Sequence, residues 1–178
     1  MMNPSWRDIT LTIGVKDLME RFRDAERFIA YCKECGCYGR SWGCPPFLFD
    51  AWEYLSGWEV AEITATVITV PDGTPVSEAA DFITPQRARL DKWLLGREKE
   101  TGGRAFSFVG NCLYCPGQEC TRLCGRPCRH PDKVRPSLEA FGFDITAILA
   151  DLFHLPLLWG SDGLLPPHLT LVTALFRK

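Results

Sequence analysis

The chain has 178 residues, 46% of them hydrophobic, with 20 Lys and Arg against 22 Asp and Glu, a formal net charge of −2. A chain of this size can bury its own core, so its nine cysteines are not needed as the disulfide staples of a small secreted scaffold, and their odd number argues the same way. The near-balanced charge weighs against a nucleic-acid partner, and no run approaches the roughly 18 apolar residues that would cross a membrane.

Met1 to Thr12 shows no basic stretch followed by an apolar one, which points to a cytoplasmic protein with reduced thiols. The first expected helix is capped by Asp17, carries the apolar stripe Leu18, Phe22, Ala25 and Ile29, and ends in Cys32. After Cys44-Pro45-Pro46 a short aromatic segment, 47–58, reads as helical. Residues 60–70 are rich in β-branched side chains and stop at Pro71-Asp72-Gly73, which marks a core strand. Thr84-Pro85 is a cap and first turn for a helix through Glu100, closed by Thr101-Gly102-Gly103. Residues 104–109 alternate as a strand, Asp144 caps a helix through Leu152, and Leu169 to Phe176 is the last strand. This order gives an α+β class: a single domain over 1–178 with a small, largely antiparallel sheet and helices on one face, a ferredoxin-like layer. Two cysteine-rich metal loops, 32–44 and 112–128, are inserted beside element ends. Of the six tryptophans, Trp6, Trp52, Trp58, Trp93 and Trp159 are expected in the core, and Trp42 is placed against a cluster, with plain burial the competing role.

The cysteines form two blocks, Cys32, Cys35, Cys37 and Cys44, then Cys112, Cys115, Cys120, Cys124 and Cys128, with none between. Cys-x-x-Cys puts two sulfurs on one tight turn, and buried structural thiols do not cluster in this way, so each block reads as one metal site. A zinc ribbon pairs two such knuckles about 15–20 residues apart, whereas the second pair of each block is not a knuckle. Iron–sulfur proteins commonly group three cysteines and bring a fourth from further along beside a proline, as Cys44-Pro45-Pro46 and Pro127-Cys128 do. Iron–sulfur is the preferred reading and zinc the alternative.

Around the second block stand Arg122, Arg126, Arg129, Lys133 and Arg135, with only Glu119 and Asp132 nearby. Guanidinium groups beside thiolate-bound metal offset its negative charge, so Arg126, Arg129 and Arg135, with Trp42, are the expected cofactor contacts. His130 is a candidate hydrogen-bond donor to a cluster sulfur or a spare zinc ligand, while His154 and His168 pack or face solvent. No phosphate loop, dinucleotide fingerprint or nucleophile elbow is present, and nothing pairs Tyr38, Glu139 or Asp144 into an acid–base couple; Glu139 reads as a residue of a helix's first turn.

Cys32-x-x-Cys35-x-x-Tyr38-Gly39 and Trp42-Gly43-Cys44-Pro45-Pro46, then Gly110-Asn111-Cys112-x-x-Cys115, Cys120, Gly125-Arg126-Pro127-Cys128-Arg129-His130-Pro131 and Arg135-Pro136-Ser137-Leu138-Glu139-Ala140, resemble the predicted metal-binding family called domain of unknown function 2284. The resemblance covers most of the chain. It implies metal binding through Cys32, Cys35 and Cys44 at one site and Cys112, Cys115, Cys120 and Cys128 at the other, and it implies no activity. The family's pattern does not call for Cys37 or Cys124. A short turn containing Gly36 can bring Cys37 round as the fourth sulfur of the first site, whereas a four-coordinate second site leaves no room for Cys124. The expected function is a carrier of two iron–sulfur clusters, of the four-iron four-sulfur type, that exchanges single electrons with a partner redox protein. The alternatives are a structural zinc protein acting as an interaction module and an enzyme whose open iron binds substrate.

Overall fold

The computed structural model describes residues 5–108 and 110–178. The first element is a strand, β1 (Trp6–Gly14), that the sequence reading passed over although Ile9, Leu11 and Ile13 alternate with polar residues along it. It pairs antiparallel, without interruption from Trp6–Ile68 to Gly14–Val60, with β2 (Val60–Thr69), the core strand expected over 60–70.

The single helix expected from Asp17 to Cys32 is two. Helix α1 (Val15–Phe22) buries Val15, Leu18, Met19 and Phe22, and Asp17 lies in its first turn; the cap position is Gly14. Arg23 is extended and bridges to Phe143, and Asp24 then caps α2 (Ala25–Glu34) by accepting from the Arg27 amide. The break turns the chain so that α2 buries none of its residues, and Ala25 and Ile29 do not continue the stripe of α1. The helix expected over 47–58 is shorter, α3 (Ala51–Ser56), because Asp50 caps it. Helix α4 (Ala79–Thr101) starts earlier than Thr84 and holds Pro85 inside it, since a single 3₁₀ turn at Val76–Glu78 leads straight into the helix. Its end is as read, at Gly102 in the left-handed region. Strand β3 (Arg104–Phe106) stops before Ser107, which turns to a parallel bridge with Ser137; Val109, the far end of the expected strand, lies outside the described residues. Asp144 caps α5 (Ile145–Phe153), and β4 (His168–Arg177) is the last strand.

The described strands form an antiparallel sheet in the order β1-β2-β4-β3, an α+β arrangement. Its chain order is not the β-α-β-β-α-β of a ferredoxin-like layer, since the central strands are β2 and β4 and run antiparallel. Period-two alternation sends Ala61, Ile63, Ala65, Val172, Ala174 and Phe176 to one face, against α1, α3 and α5. Ile68, Leu171, Ala105 and Leu175 go to the other, where Leu90, Leu94 and Phe108 cover them. Helices therefore lie on both faces, a correction to the one-sided layer, because α4 packs where polar strand residues also need partners. There Arg97 and Arg177 each meet Glu62 at 2.8 Å, and Arg89 meets Asp8 at 2.8 Å.

The tryptophans are also a correction: none of the six is fully buried, and Trp52 and Trp159 are 59% and 79% exposed. Phenylalanines fill the core instead, with Phe106, Phe141, Phe143 and Phe176 buried.

Candidate metal centre

Cysteines of both blocks share a cavity wall with Ser107 and Phe108, the residues that directly follow β3. Cys32 lies in the last turn of α2, which runs on to Glu34 rather than ending at Cys32, and the Cys35 amide caps the helix on the Cys32 carbonyl at 3.0 Å. Successive tight turns follow, Tyr38 N–H to Cys35 C=O, Arg40 N–H to Cys37 C=O and Cys44 N–H to Ser41 C=O, closed by Gly39 N–H to Pro45 C=O at 2.8 Å. This folding of the chain on itself brings Cys32, Cys35, Cys37 and Cys44 to the wall of one cavity of about 210 Å³. In the second block, turns closed on the Cys115 and Cys120 carbonyls and a 3₁₀ turn at Thr121–Cys124 bring Cys112, Cys115, Cys120 and Cys128 to a second cavity of similar size. Cys124 lines neither cavity; it is exposed and its thiol donates to the Thr121 carbonyl at 3.3 Å.

The cavities adjoin. Cys37, Asn111, Cys112, Ser41 and Val134 line both, and the Cys37 thiol donates to Asn111 Oδ1 at 3.0 Å. Arg122 joins the blocks from the other side: its guanidinium donates to the carbonyls of Ser41 at 2.7 Å, Cys44 at 2.5 Å and Pro46. The same group lies 5.3 Å from the centre of the Trp42 ring, whose Nε1 donates to the Arg126 carbonyl at 3.2 Å and to Thr121 Oγ1 at 3.3 Å. Gly142 makes a further tie. Its φ of 92° and the 2.6 Å between a would-be Cβ and Ala25 Cα leave no room for a side chain, and its carbonyl accepts from the Asp24 amide. The start of the cysteine-bearing α2 is thereby held against the segment that follows the second block.

The thiols sense one another. Burial, then the neighbouring Cys35 and Glu139, raises the Cys32 pKa. Burial, then Cys35, raises Cys37, and burial, then Cys37, pushes Cys44 up to about 11. Cys112 is raised by burial and by Cys115, Cys128 and Cys120. Burial and that repulsion both favour the neutral thiol, and a bound cation would offset them. Among the described residues no group of three or more Cys, His, Asp or Glu is gathered closely enough to hold a metal ion as it stands, so the sulfurs line the cavities without converging on a point.

The cavities differ in charge. Arg40, Arg129 and His130 line the second, which has no carboxylate in its wall. Arg129 Nη1 lies 3.7 Å from Cys115 Sγ while donating to the Glu119 carbonyl at 3.0 Å, and the His130 amide, rather than its ring, donates to Cys128 Sγ at 3.4 Å. The Arg126 side chain is exposed, and the backbone carbonyl makes the contact with Trp42. Arg135 lines the first cavity, in a half-buried ion pair with Glu98 at 2.5 Å. That cavity also carries Asp91, which accepts from Tyr114 Oη at 2.7 Å and Ser107 Oγ at 3.0 Å, and Glu139. Glu139 opens a 3₁₀ turn, its Oε2 is buried with no hydrogen-bond partner, and burial raises its pKa. His154 caps α5 on the surface and His168 begins β4, both away from the cavities.

Arg122, Asn111, Asp91 and Arg87, whose Nη2 donates to the Asn111 carbonyl at 2.5 Å, were not singled out from sequence. Only Asn111 and Arg122 carried a signal there, one inside the Gly-Asn-Cys motif and the other in the basic cluster.

Residues 19–172 match the model of a family described as predicted metal-binding protein (DUF2284). No curated protein and no solved structure matches the chain. Among the described residues no helix is long and apolar enough to cross a membrane.

Proposed function

The chain belongs to the family of predicted metal-binding proteins, DUF2284, and on that premise we propose that it is a cytoplasmic, single-domain carrier of two iron–sulfur clusters that exchanges single electrons with a partner redox protein. The observation that carries this reading is the pair of adjoining cavities, each walled by five cysteines of which Cys37 and Cys112 are shared. Cys32, Cys35, Cys37 and Cys44 would hold one four-iron four-sulfur cluster and Cys112, Cys115, Cys120 and Cys128 the other. The donor chemistry fits: soft sulfurs on tight turns, with Cys44 and Cys112 raised in pKa by burial and then by neighbouring cysteines, an effect that a bound cation would offset. When bound, such clusters supply one-electron couples.

The rest follows from the chain's own residues. Arg122 and Gly142 hold the two loops in register, and Cys37 and Asn111 form the shared wall, so the two sites are neighbours. Arg129 sets a positive charge beside Cys115, and Trp42 covers the second loop from the side of Arg126. Arg135 sets a charge in the wall of the first cavity, paired with Glu98, and Arg126 contributes charge from the exposed surface.

Structural zinc in an interaction module is the second reading. It is favoured by the exposed side chains that directly follow the first block: Leu48 is 85% and Trp52 59% exposed. Protein made and purified without oxygen separates the two. Brown material with iron and acid-labile sulfide is expected, and colourless material with stoichiometric zinc would overturn the carrier in favour of the module.

A further inference from the structure

The two edges of the sheet are finished differently. β3 is three residues long, and the chain leaves it at once for the bridge between Ser107 and Ser137 and for the cysteine loops. β1 is nine residues long, and among the described residues nothing pairs with its outer side. Natural edge strands are commonly blunted by proline, by lysine, by a bulge or by shortness. β1 has none of these: it contains no Pro or Lys, and its register with β2 runs one to one from Trp6 to Gly14.

The direction of its free backbone groups follows from the bonds at its two ends. The Ser5 carbonyl accepts from the Thr69 amide, and the Val15 amide donates to the Glu59 carbonyl. In an antiparallel ladder the groups turned to one partner recur at every second residue, so odd-numbered residues from 5 to 15 face β2. The N–H and C=O of Trp6, Asp8, Thr10, Thr12 and Gly14 therefore point outward.

We propose that this edge pairs with the same edge of a second copy of the chain, antiparallel about a two-fold axis through Thr10, joining two sheets into one. The register that uses the whole strand sets Thr10 opposite Thr10, Asp8 opposite Thr12 and Trp6 opposite Gly14, so every outward backbone group is satisfied. Side chains agree with it. On the main-core face Leu11, 37% exposed, meets Ile9 of the other copy, covering a stripe that α1 and α5 leave half-open. Cross-strand Thr–Thr and aliphatic pairs are favourable, and no like charges stand opposite one another, since Arg7 faces Ile13 and Asp8 faces Thr12. No residue of β1 lines either cysteine cavity, so the pairing leaves them untouched.

The test uses the full chain. Sedimentation velocity over a range of concentrations is expected to show a dimer, with the amides of Asp8, Thr10 and Thr12 slow to exchange with deuterium in proportion to the dimer present. Thr10→Pro removes an outward N–H that β2 does not use, and Leu11→Lys puts a charge against Ile9 of the other copy. Both should be monomeric, with wild-type metal content and circular dichroism. Leu11→Lys keeps the test valid if Thr10→Pro does not fold. A wild-type protein that stays monomeric at every concentration, or a dimer in which those amides exchange freely or which survives Leu11→Lys, would overturn the proposal.

Discussion

The two cysteine blocks reach similar cavities by different routes. The first hangs on the end of a helix and is closed by short-range turns, so its thiols are set largely by local backbone bonds. The second is a long loop with one 3₁₀ turn, and what orders it comes from elsewhere: Arg122 reaching the first block, Arg87 on the Asn111 carbonyl, and Arg135 on Glu98. The charges diverge as well, with Asp91 and Glu139 in the first wall against Arg40 and Arg129 in the second. Two cavities with the same donor type thus differ in how they are held and in charge, and the surroundings of a sulfur, as much as the sulfur, set its energetics.

The largest expected effect is on the second block. Cys112→Ser, Cys115→Ser, Cys120→Ser and Cys128→Ser should each abolish metal at that site, while Cys124→Ser leaves it, as metal analysis of the purified variants would show. Loss with Cys124→Ser and retention with Cys120→Ser would mean that the sulfur set is misassigned. Next comes the tie between the blocks. Arg122→Ala leaves three carbonyls without their charged donor and should cost about 2–3 kcal/mol in urea unfolding, with metal lost from both sites. Arg122→Lys should recover only part, since an ammonium lacks the planar fork. Equal stability of Arg122→Ala and wild type would show that the blocks hold together without it.

A smaller effect distinguishes the cavities electrostatically. Removing the charge beside Cys115 with Arg129→Gln should lower the second site's reduction potential and leave the first site's unmoved; titration followed by electron paramagnetic resonance reads both. A shift at the first site instead would contradict the charge contrast. The smallest effect concerns the first cavity in metal-free protein. Burial raises the Glu139 pKa above its ordinary 4.5, so the folded chain keeps a proton that the unfolded chain releases. Its contribution to stability is present below that ordinary value and is lost as pH rises through the folded one. Glu139→Gln should flatten this part of the pH dependence of the urea midpoint, and an unchanged slope would count against the buried acid.

Much of this molecule is written in short-range pattern. The β-branched run marked β2, and Asp144 and Gly102 marked a helix start and a helix end, because caps, turns and alternation act within a few residues. The break at Arg23 was less legible, since the stripe from Leu18 to Ile29 is continuous in sequence and is interrupted only when Arg23 bridges to Phe143, far along the chain. β1 was passed over for a related reason: its alternation is plain, but a strand is stabilised by a partner, and its partner begins at Val60. The adjacency of the cavities, the reach of Arg122 across to Ser41, Cys44 and Pro46, and the burial of phenylalanine in preference to tryptophan were tertiary decisions. Residue spacing carries the geometry of a turn, whereas the meeting of two turns about 80 residues apart depends on how the whole chain packs its core.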